Sequence, residues 1–200
     1  RNALHTQIID QLVKKSEKEH GLLIYLFLLR VQTASTVLDI TKCYRWSITR
    51  KKMKIVFLDI DGVLNTISNW GSRPIEKRFT PECIAALNRI TEYTGAKIVI
   101  SSTWRNIMGY YELSALLHSV GIEGEIIGKT PLVKLSGGPR GEEIERFLYE
   151  YRKSEFDVSS FVILDDDTDM GDLMEHLVWC SPNTGLTEGL ADIAIRKLEE

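Results

Sequence analysis

Acidic side chains follow two apolar segments of the sequence and could together hold a divalent cation. Asp59 and Asp61 come after the apolar residues 55–58, and Asp165 and Asp166 come after another apolar run. Side chains two positions apart in a strand face the same way, so Asp59 and Asp61 are expected on one side, about 6–7 Å apart. If all these carboxylates meet, each like-charge pair at ~6 Å costs roughly 2–3 kcal/mol at an effective dielectric of ~20. An all-oxygen set of this kind is typical of an Mg²⁺ site.

Hydroxyl and basic side chains follow a third apolar run, at residues 97–100. Ser101 and Ser102 come directly after it, and Arg105 follows shortly afterwards. Serine hydroxyls and guanidinium groups donate hydrogen bonds to phosphate oxygens, and a guanidinium can donate two in parallel. The sequence therefore predicts a phosphate-sized pocket beside the acidic side chains, with Ser101 and basic residues as its donors.

Strand and helix patterns alternate from residue 53 onward, and they must position these side chains. The predicted strands are 54–59, 97–101, 125–127, 160–165 and 177–180, and the predicted helices are 81–94, 105–119, 141–153 and 187–198. The apolar runs lack polar alternation, as in strands that are covered by helices on both faces. The pattern predicts an α/β fold with a doubly wound parallel sheet, in which sites form beyond the carboxyl ends of the strands.

The first part of the chain differs from the rest in charge. Residues 1–52 carry ten Lys or Arg and four Asp or Glu, a charge of +6, whereas residues 53–200 carry fifteen and twenty-four, a charge of −9. We expect an N-terminal, mainly helical appendage with a linker at residues 1–52, and a main domain at 53–200. An acidic domain is poorly suited to tracking a long nucleic-acid backbone, so any phosphate recognition should be local.

Cysteine content and hydropathy exclude several classes of protein. The three cysteines, Cys43, Cys83 and Cys180, are widely spaced and show neither a disulfide framework nor a metal-binding spacing, which favours a reducing, cytoplasmic location. The longest apolar run, Leu22–Leu29, has eight residues. A bilayer span needs about 20, so no membrane span is expected.

The motifs resemble those of the haloacid dehalogenase (HAD) superfamily in order and spacing from residue 54 to about 198. Asp59-Ile60-Asp61-Gly62-Val63-Leu64 resembles the first motif, Ser101 the second, Arg140 the third and Asp165-Asp166 the fourth. In finer detail the chain is similar to the HAD domain of Swiss Army Knife RNA-repair proteins and to the phosphatase half of polynucleotide kinase-phosphatase. The segments that carry this finer resemblance are 59–65, 101–105, 140–144, 163–167 and 185–187.

The resemblance implies a phosphatase that acts through an aspartyl-phosphate. Asp59 would attack phosphorus, and Asp61 would protonate the leaving oxygen and later deprotonate water. The cofactor Mg²⁺ would bind Asp59, the backbone carbonyl of Asp61 and Asp165, with Asp166 as a further ligand or a water holder.

The resemblance also assigns the phosphate-binding side chains. Ser101 and Arg140 would hold the phosphate oxygens, Ser102 would line the same pocket and Arg105 would clamp the phosphate from the other side. The superfamily usually has Lys at the third motif, so Lys129 competes with Arg140 for that role. Both assignments stay open at this point.

The resemblance leaves the substrate class open. Members that act on small metabolites often carry a cap domain, whereas 62–80 is too short for one, so an open site is expected. Trp70 and Trp104 could stack on a base or simply pack. The favoured hypothesis is an Mg²⁺-dependent phosphatase for nucleic-acid ends; the alternatives are a phosphatase for a small metabolite or nucleotide and a non-catalytic phosphate-binding module.

Overall fold

The structure is a computed structural model that describes residues 51–133, 138–151 and 156–200. The predicted appendage at residues 1–52 lies outside these ranges, apart from Lys51 and Lys52. Both of those residues belong to the first strand, which starts three residues before its predicted beginning. In the described parts of the chain, no helix is long and apolar enough to cross a membrane.

The described residues form a five-stranded parallel sheet in the order β3-β2-β1-β4-β5. The strands are β1 Lys51–Leu58, β2 Lys97–Ile100, β3 Ile126–Lys129, β4 Phe156–Asp165 and β5 Leu177–Trp179. The chain moves outward from β1 to one edge, returns to β4 and continues to the other edge. This is the doubly wound α/β fold that the sequence predicts.

Four α-helices of the described chain cover the sheet, α1 Pro81–Thr94, α2 Tyr110–Ser119, α3 Arg140–Tyr151 and α4 Glu188–Glu199. The first has the predicted bounds. The predicted helix at 105–119 is wrong in its first part, because Thr103–Asn106 form a short 3-10 turn and α2 begins only after Gly109. The Ser102 hydroxyl accepts a hydrogen bond from the Trp104 N–H, which starts the short turn.

The core has two layers because β1 is apolar on both sides. Val56 and Leu58 pack into the cluster that contains buried side chains of α1, α2 and α4. Ile55 and Phe57, which point to the opposite face, pack with Ile144 of α3. Burial on both faces explains why β1 shows no polar alternation in its central residues.

The carboxyl ends of the three central strands lie side by side. Leu58 of β1 pairs with Ile100 of β2 and with Leu164 of β4. The residues that follow, Asp59, Ser101 and Asp165, therefore meet at one edge of the sheet. These three residues are about forty to about a hundred positions apart in the sequence, and the register of the strands alone brings them together.

Candidate active site

A tight turn after β1 places Asp59 and Asp61 at this edge. The carbonyl of Ile60 accepts hydrogen bonds from the backbone N–H groups of Leu64 at 2.9 Å and of Asn65 at 3.2 Å. Gly62 has a φ of 72°, a left-handed conformation that glycine adopts without steric cost. A Cβ at Gly62 would lie 2.4 Å from Cγ of Asp166. Glycine at this position therefore permits both the turn and the approach of Asp166.

Three carboxylates converge beside that turn. One oxygen each from Asp59, Asp165 and Asp166 lies within 4.8 Å of the other two. Asp59 and Asp165 are buried and Asp166 is partly exposed. Hard oxygen ligands at this spacing fit a divalent cation of the Mg²⁺ type, and the partly exposed side leaves room for water ligands. Of the four acidic residues that were predicted to surround the metal, Asp59, Asp165 and Asp166 are thus brought together, and the carboxylate of Asp61 is not part of this cluster.

Burial in this cluster raises the pKa of all three carboxyl groups. The pKa of Asp59 is raised to about 6 by burial, although the charge of Arg140 and a hydrogen bond with Ser102 oppose the rise. The pKa of Asp165 is raised to about 7 by burial and by the negative charge of Asp59. Both values refer to the metal-free protein. A cation at the cluster would favour the ionised forms of both groups.

Arg140, the first residue of α3, reaches into the cluster. Its Nε donates a hydrogen bond to Asp165 Oδ2 at 3.1 Å, and its Nη2 lies 3.7 Å from Asp59 Oδ2. Lys129 is exposed, and its Nζ donates to the backbone carbonyl of Arg105 at 3.3 Å. Of the two candidates for the third motif, the structure therefore brings Arg140 to the acidic cluster.

The carboxylate of Asp61 accepts hydrogen bonds from two N–H donors and is not one of the three clustered carboxylates. Trp104 Nε1 donates to its Oδ2 at 2.8 Å, and Asn65 Nδ2 donates to its Oδ1 at 2.8 Å. Asn65 is fixed in turn, because its Oδ1 accepts from the N–H of Gly62 at 3.1 Å and from Trp70 Nε1 at 2.9 Å. The geometry suits a carboxyl group that handles a proton rather than one that binds the ion through its side chain.

Both serines of the second motif are fully buried at the end of β2. A hydrogen bond with the Ser102 hydroxyl lowers the pKa of Asp59, so Ser102 is next to the proposed nucleophile. Ser101 Oγ has no hydrogen-bond partner among the described residues. A buried hydroxyl without a partner is costly, and an acceptor such as a phosphate oxygen would satisfy it.

Arg105 lies beneath the site and pairs with a residue that sequence reasoning missed. Its side chain is 2% exposed and forms an ion pair with Glu143, and its Nη1 donates to the Ser102 carbonyl at 2.6 Å. Burial lowers the pKa of Arg105, against the opposing charge of Glu143. Glu143 also lies 3.9 Å from Arg140. In the sequence, Glu143 stands out only as an acidic residue next to the apolar Ile144 in a predicted helix.

The two tryptophans predicted near the site have different environments. Trp104 is buried and makes an edge contact with Phe79 at a centroid distance of 5.7 Å, as expected for a packing role. The side chain of Trp70 is 42% exposed.

A comparison with sequence models of protein families shows to which family the chain belongs. The sequence model of one family, described as the HAD domain in Swiss Army Knife RNA repair proteins, matches residues 55–191, which is more than half of the chain. The chain belongs to this family. The resemblance of the motifs is thereby confirmed, and the HAD family indicates a hydrolase or phosphatase in general. HAD domains typically use Mg²⁺, and the acidic cluster of this HAD domain could hold such an ion. No curated protein sequence matches the chain.

Proposed function

We propose that the protein is an Mg²⁺-dependent phosphomonoesterase in which Asp59 is the nucleophile. The observation that carries the proposal is the convergence of Asp59, Asp165 and Asp166 within 4.8 Å, with Arg140 beside them. When bound, Mg²⁺ would neutralise part of the charge of the carboxylates and of the phosphate, which lets an anionic nucleophile approach an anionic substrate.

The proposed reaction has two steps that share one carboxyl group for proton transfer. In the first, an oxygen of Asp59 attacks phosphorus, the bond to the leaving oxygen breaks, and Asp61 gives its proton to that oxygen. In the second, ionised Asp61 takes a proton from water, whose oxygen attacks phosphorus and releases Asp59 and inorganic phosphate. The Trp104 and Asn65 hydrogen bonds orient Asp61 for both steps.

The remaining side chains bind and position the phosphate. Arg140 would donate to its oxygens from the start of α3, and the unpartnered hydroxyl of Ser101 supports a hydrogen bond to one of them. Arg105 acts from beneath, because its guanidinium holds Glu143 and the Ser102 carbonyl in place.

The substrate that this site favours is the phosphorylated end of a nucleic acid. The loop from Gly62 to Thr80 contains two short 3-10 turns and no α-helix or strand, so it forms no folded cap over the site. The description of the matched family as RNA repair supports the same substrate class. The charge of −9 over residues 53–200 favours recognition of a terminal phosphate over contact with a long backbone.

A second candidate is a phosphatase for a small metabolite or nucleotide. A cavity of about 540 Å³ adjoins Asp61, which is within the usual size range of small-molecule sites.

Hydrolysis of p-nitrophenyl phosphate tests the reaction, and comparison of substrates tests the class. We expect the wild type to require Mg²⁺ and Asp59→Asn to be inactive; equal, metal-independent signals from both would leave only a phosphate-binding module.

Oligonucleotides with a 3′- or a 5′-phosphate should lose this phosphate faster than free mononucleotides do. Release of phosphate from mononucleotides alone would favour the second candidate.

A further inference from the structure

A cavity adjoins Asp61, the residue that the proposed mechanism assigns as the proton donor to the leaving group. Its wall includes Asp61, Trp70, Arg78, Trp104 and Ile107, and its volume is about 540 Å³. The three-carboxylate cluster contributes no residue to this wall. If Asp61 protonates the leaving oxygen, the group attached to that oxygen must therefore extend into this cavity.

One wall of the cavity is an aromatic ring that is fixed in place and open to solvent. Trp70 is 42% exposed, while its Nε1 donates to Asn65 Oδ1 at 2.9 Å. The same Asn65 donates to Asp61, so the ring is linked to the proton donor through one side chain. A ring anchored at its N–H edge can present its face to a planar ligand without a further loss of rotamer freedom.

A second exposed apolar side chain borders the same cavity. Ile107, directly after the 3-10 turn that follows β2, is 79% exposed. Trp70 and Ile107 belong to two different loops, and both line the cavity. Exposed apolar side chains that border a cavity mark it as a contact surface, unlike apolar residues that are scattered singly.

A cation stands at the rim of the cavity. Arg78 Nε donates to the carbonyl of Ser72 at 3.2 Å, and neither Nη atom has a hydrogen-bond or ion-pair partner among the described residues. The loop 62–80 that carries it contains three Lys or Arg and one Glu, a charge of +2. Because 53–200 as a whole carries −9, this loop is a local positive region in an acidic domain, and Arg78 is its basic residue that lines the cavity.

We propose that this cavity binds the leaving group of an oligonucleotide end, with the terminal base stacked on Trp70 and the adjacent phosphodiester bound by Arg78. A planar base suits the open indole face, and an anion suits the two Nη groups of Arg78, which are unpaired among the described residues. The inference rests on the proposed phosphatase function and sharpens it, since a mononucleotide has no second phosphate. The protein therefore prefers a dinucleotide or longer chain to a mononucleotide.

Substrate selectivity of matched variants tests the role of Arg78. We compare kcat/KM for a phosphorylated dinucleotide, the corresponding mononucleotide, glycerol phosphate and a phosphoserine peptide. Arg78→Gln should lower the ratio of dinucleotide to mononucleotide about tenfold, because a charge-assisted hydrogen bond is lost. Lys77→Gln is the control: it removes the same charge from the neighbouring position, which does not line the cavity. Equal effects of both substitutions, or a preference for the phosphopeptide, would overturn the proposal.

Binding to an inactive variant tests the aromatic wall without catalysis. In the Asp59→Asn background, the dissociation constant of a phosphorylated dinucleotide is measured by isothermal titration calorimetry, a readout that does not depend on Trp70. Trp70→Ala should weaken its binding about tenfold and Trp70→Phe much less, because stacking needs the ring face. Unchanged binding by Trp70→Ala overturns the subsite.

The two experiments separate this inference from the function on which it rests. Hydrolysis with unchanged selectivity in Arg78→Gln would refute the subsite and keep the phosphatase. Absence of hydrolysis, with dinucleotide binding that depends on Arg78 and Trp70, would refute the phosphatase and keep the binding site.

Discussion

Negative charge exceeds positive charge among the residues around Asp59. Arg105 and Arg140 face Asp165 and Glu143 as well as Asp59, and all five side chains are buried or nearly so. Asp166 adds another carboxylate at the exposed side of the cluster. Two guanidinium groups cannot neutralise four carboxylates, so the cluster could hold a divalent cation that supplies the missing positive charge.

Removal of one carboxylate from the cluster should uncouple the protein from Mg²⁺. We expect Asp165→Asn to lose about a hundredfold or more in kcat, because the ion that stabilises the transition state is no longer held. The thermal shift on addition of Mg²⁺, expected to be several degrees for the wild type, should also disappear. The control is Asp172→Asn, an exposed acidic residue outside the cluster. An unchanged Mg²⁺ shift in Asp165→Asn would contradict the assignment.

The stability of the metal-free protein should depend on pH through the same residues. The pKa values of Asp59 and Asp165 rise from 3.8 to about 6 and about 7 on folding, mainly by burial. Between pH ~4 and ~7 the native protein thus holds protons that the unfolded chain has released, so the free energy of unfolding falls as pH rises. Above pH ~7 the native state bears the full free-energy cost of keeping both buried carboxyl groups ionised. Below pH ~4 this cost is absent.

Thermal melts in EDTA and in Mg²⁺ measure this effect. The gain in melting temperature from Mg²⁺ should be larger at pH 8 than at pH 5, because protons compete with the ion for the carboxylates. In EDTA, Asp165→Asn should lose less stability than the wild type over the same pH range. Equal gains from Mg²⁺ at both pH values would show that these groups do not titrate as described.

At the scale of elements, helix α3 connects the core layer that contains Ile55 and Phe57 to the site. Its first residue, Arg140, contacts the acidic cluster, and Glu143 one turn later holds Arg105. The helix lies very close to the chain after β4, because a Cβ at Gly141 would be 2.2 Å from the carbonyl oxygen of Met170. The position of α3 therefore determines the position of two charged groups of the site.

Gly141→Ala should displace α3 and lower activity, although the substitution adds only a methyl group and removes no functional side chain. The new methyl group cannot fit against a backbone carbonyl, so the helix must move and take Arg140 with it. We expect a fall of tenfold or more in kcat/KM and a lower melting temperature. The matched control is Gly189→Ala, also at the second position of a helix, where the new methyl group would meet only Thr187 Oγ1 among the described residues, at 4.0 Å. That substitution should be neutral or stabilise by about 0.4–1 kcal/mol.

Elements could be predicted from sequence where the local pattern alone determines them. The bounds of α1 follow from Pro81 at its start and Gly95, with a φ of 68°, after its end. The meeting of Asp59 with Asp165 follows from parallel strands that end at one edge. By contrast, apolar periodicity could not separate the short turn at Thr103–Asn106 from α2, since both contain apolar residues.

Pair contacts in the site depended on tertiary structure and could not be predicted. Arg140 and Lys129 have the same charge, and both precede strand β4, at whose end the acidic fourth motif lies. Only the packed fold therefore distinguishes them. Glu143 is an acidic residue in a helix with several others, and its burial against Arg105 is not a local property. The burial of Trp104 likewise depends on neighbours distant in sequence, Asp61 and Phe79.

At the scale of the whole molecule, the acidic domain at residues 53–200 limits how much nucleic acid this domain can contact. Residues 53–200 carry −9, and within this domain the loop 62–80 is a local positive region. A long strand would face repulsion beyond its terminal nucleotides. Recognition should therefore be confined to the terminal phosphate and its nearest neighbours.

The salt dependence of substrate binding checks this limit. With one or two phosphate contacts, the logarithm of the binding constant of Asp59→Asn for a phosphorylated decanucleotide should fall with log salt at a slope of about −0.7 to −1.4. A dinucleotide should give nearly the same slope. A slope several times steeper for the decanucleotide would reveal backbone tracking and contradict this account.

The most direct test is a crystal structure with Mn²⁺ in place of Mg²⁺ and a phosphate mimic such as beryllium fluoride. We predict an anomalous peak between Asp59, Asp165 and the backbone carbonyl of Asp61, with the mimic bonded to an Asp59 oxygen and facing Arg140. An ion bound elsewhere, or a mimic that is not attached to Asp59, would contradict the proposed mechanism.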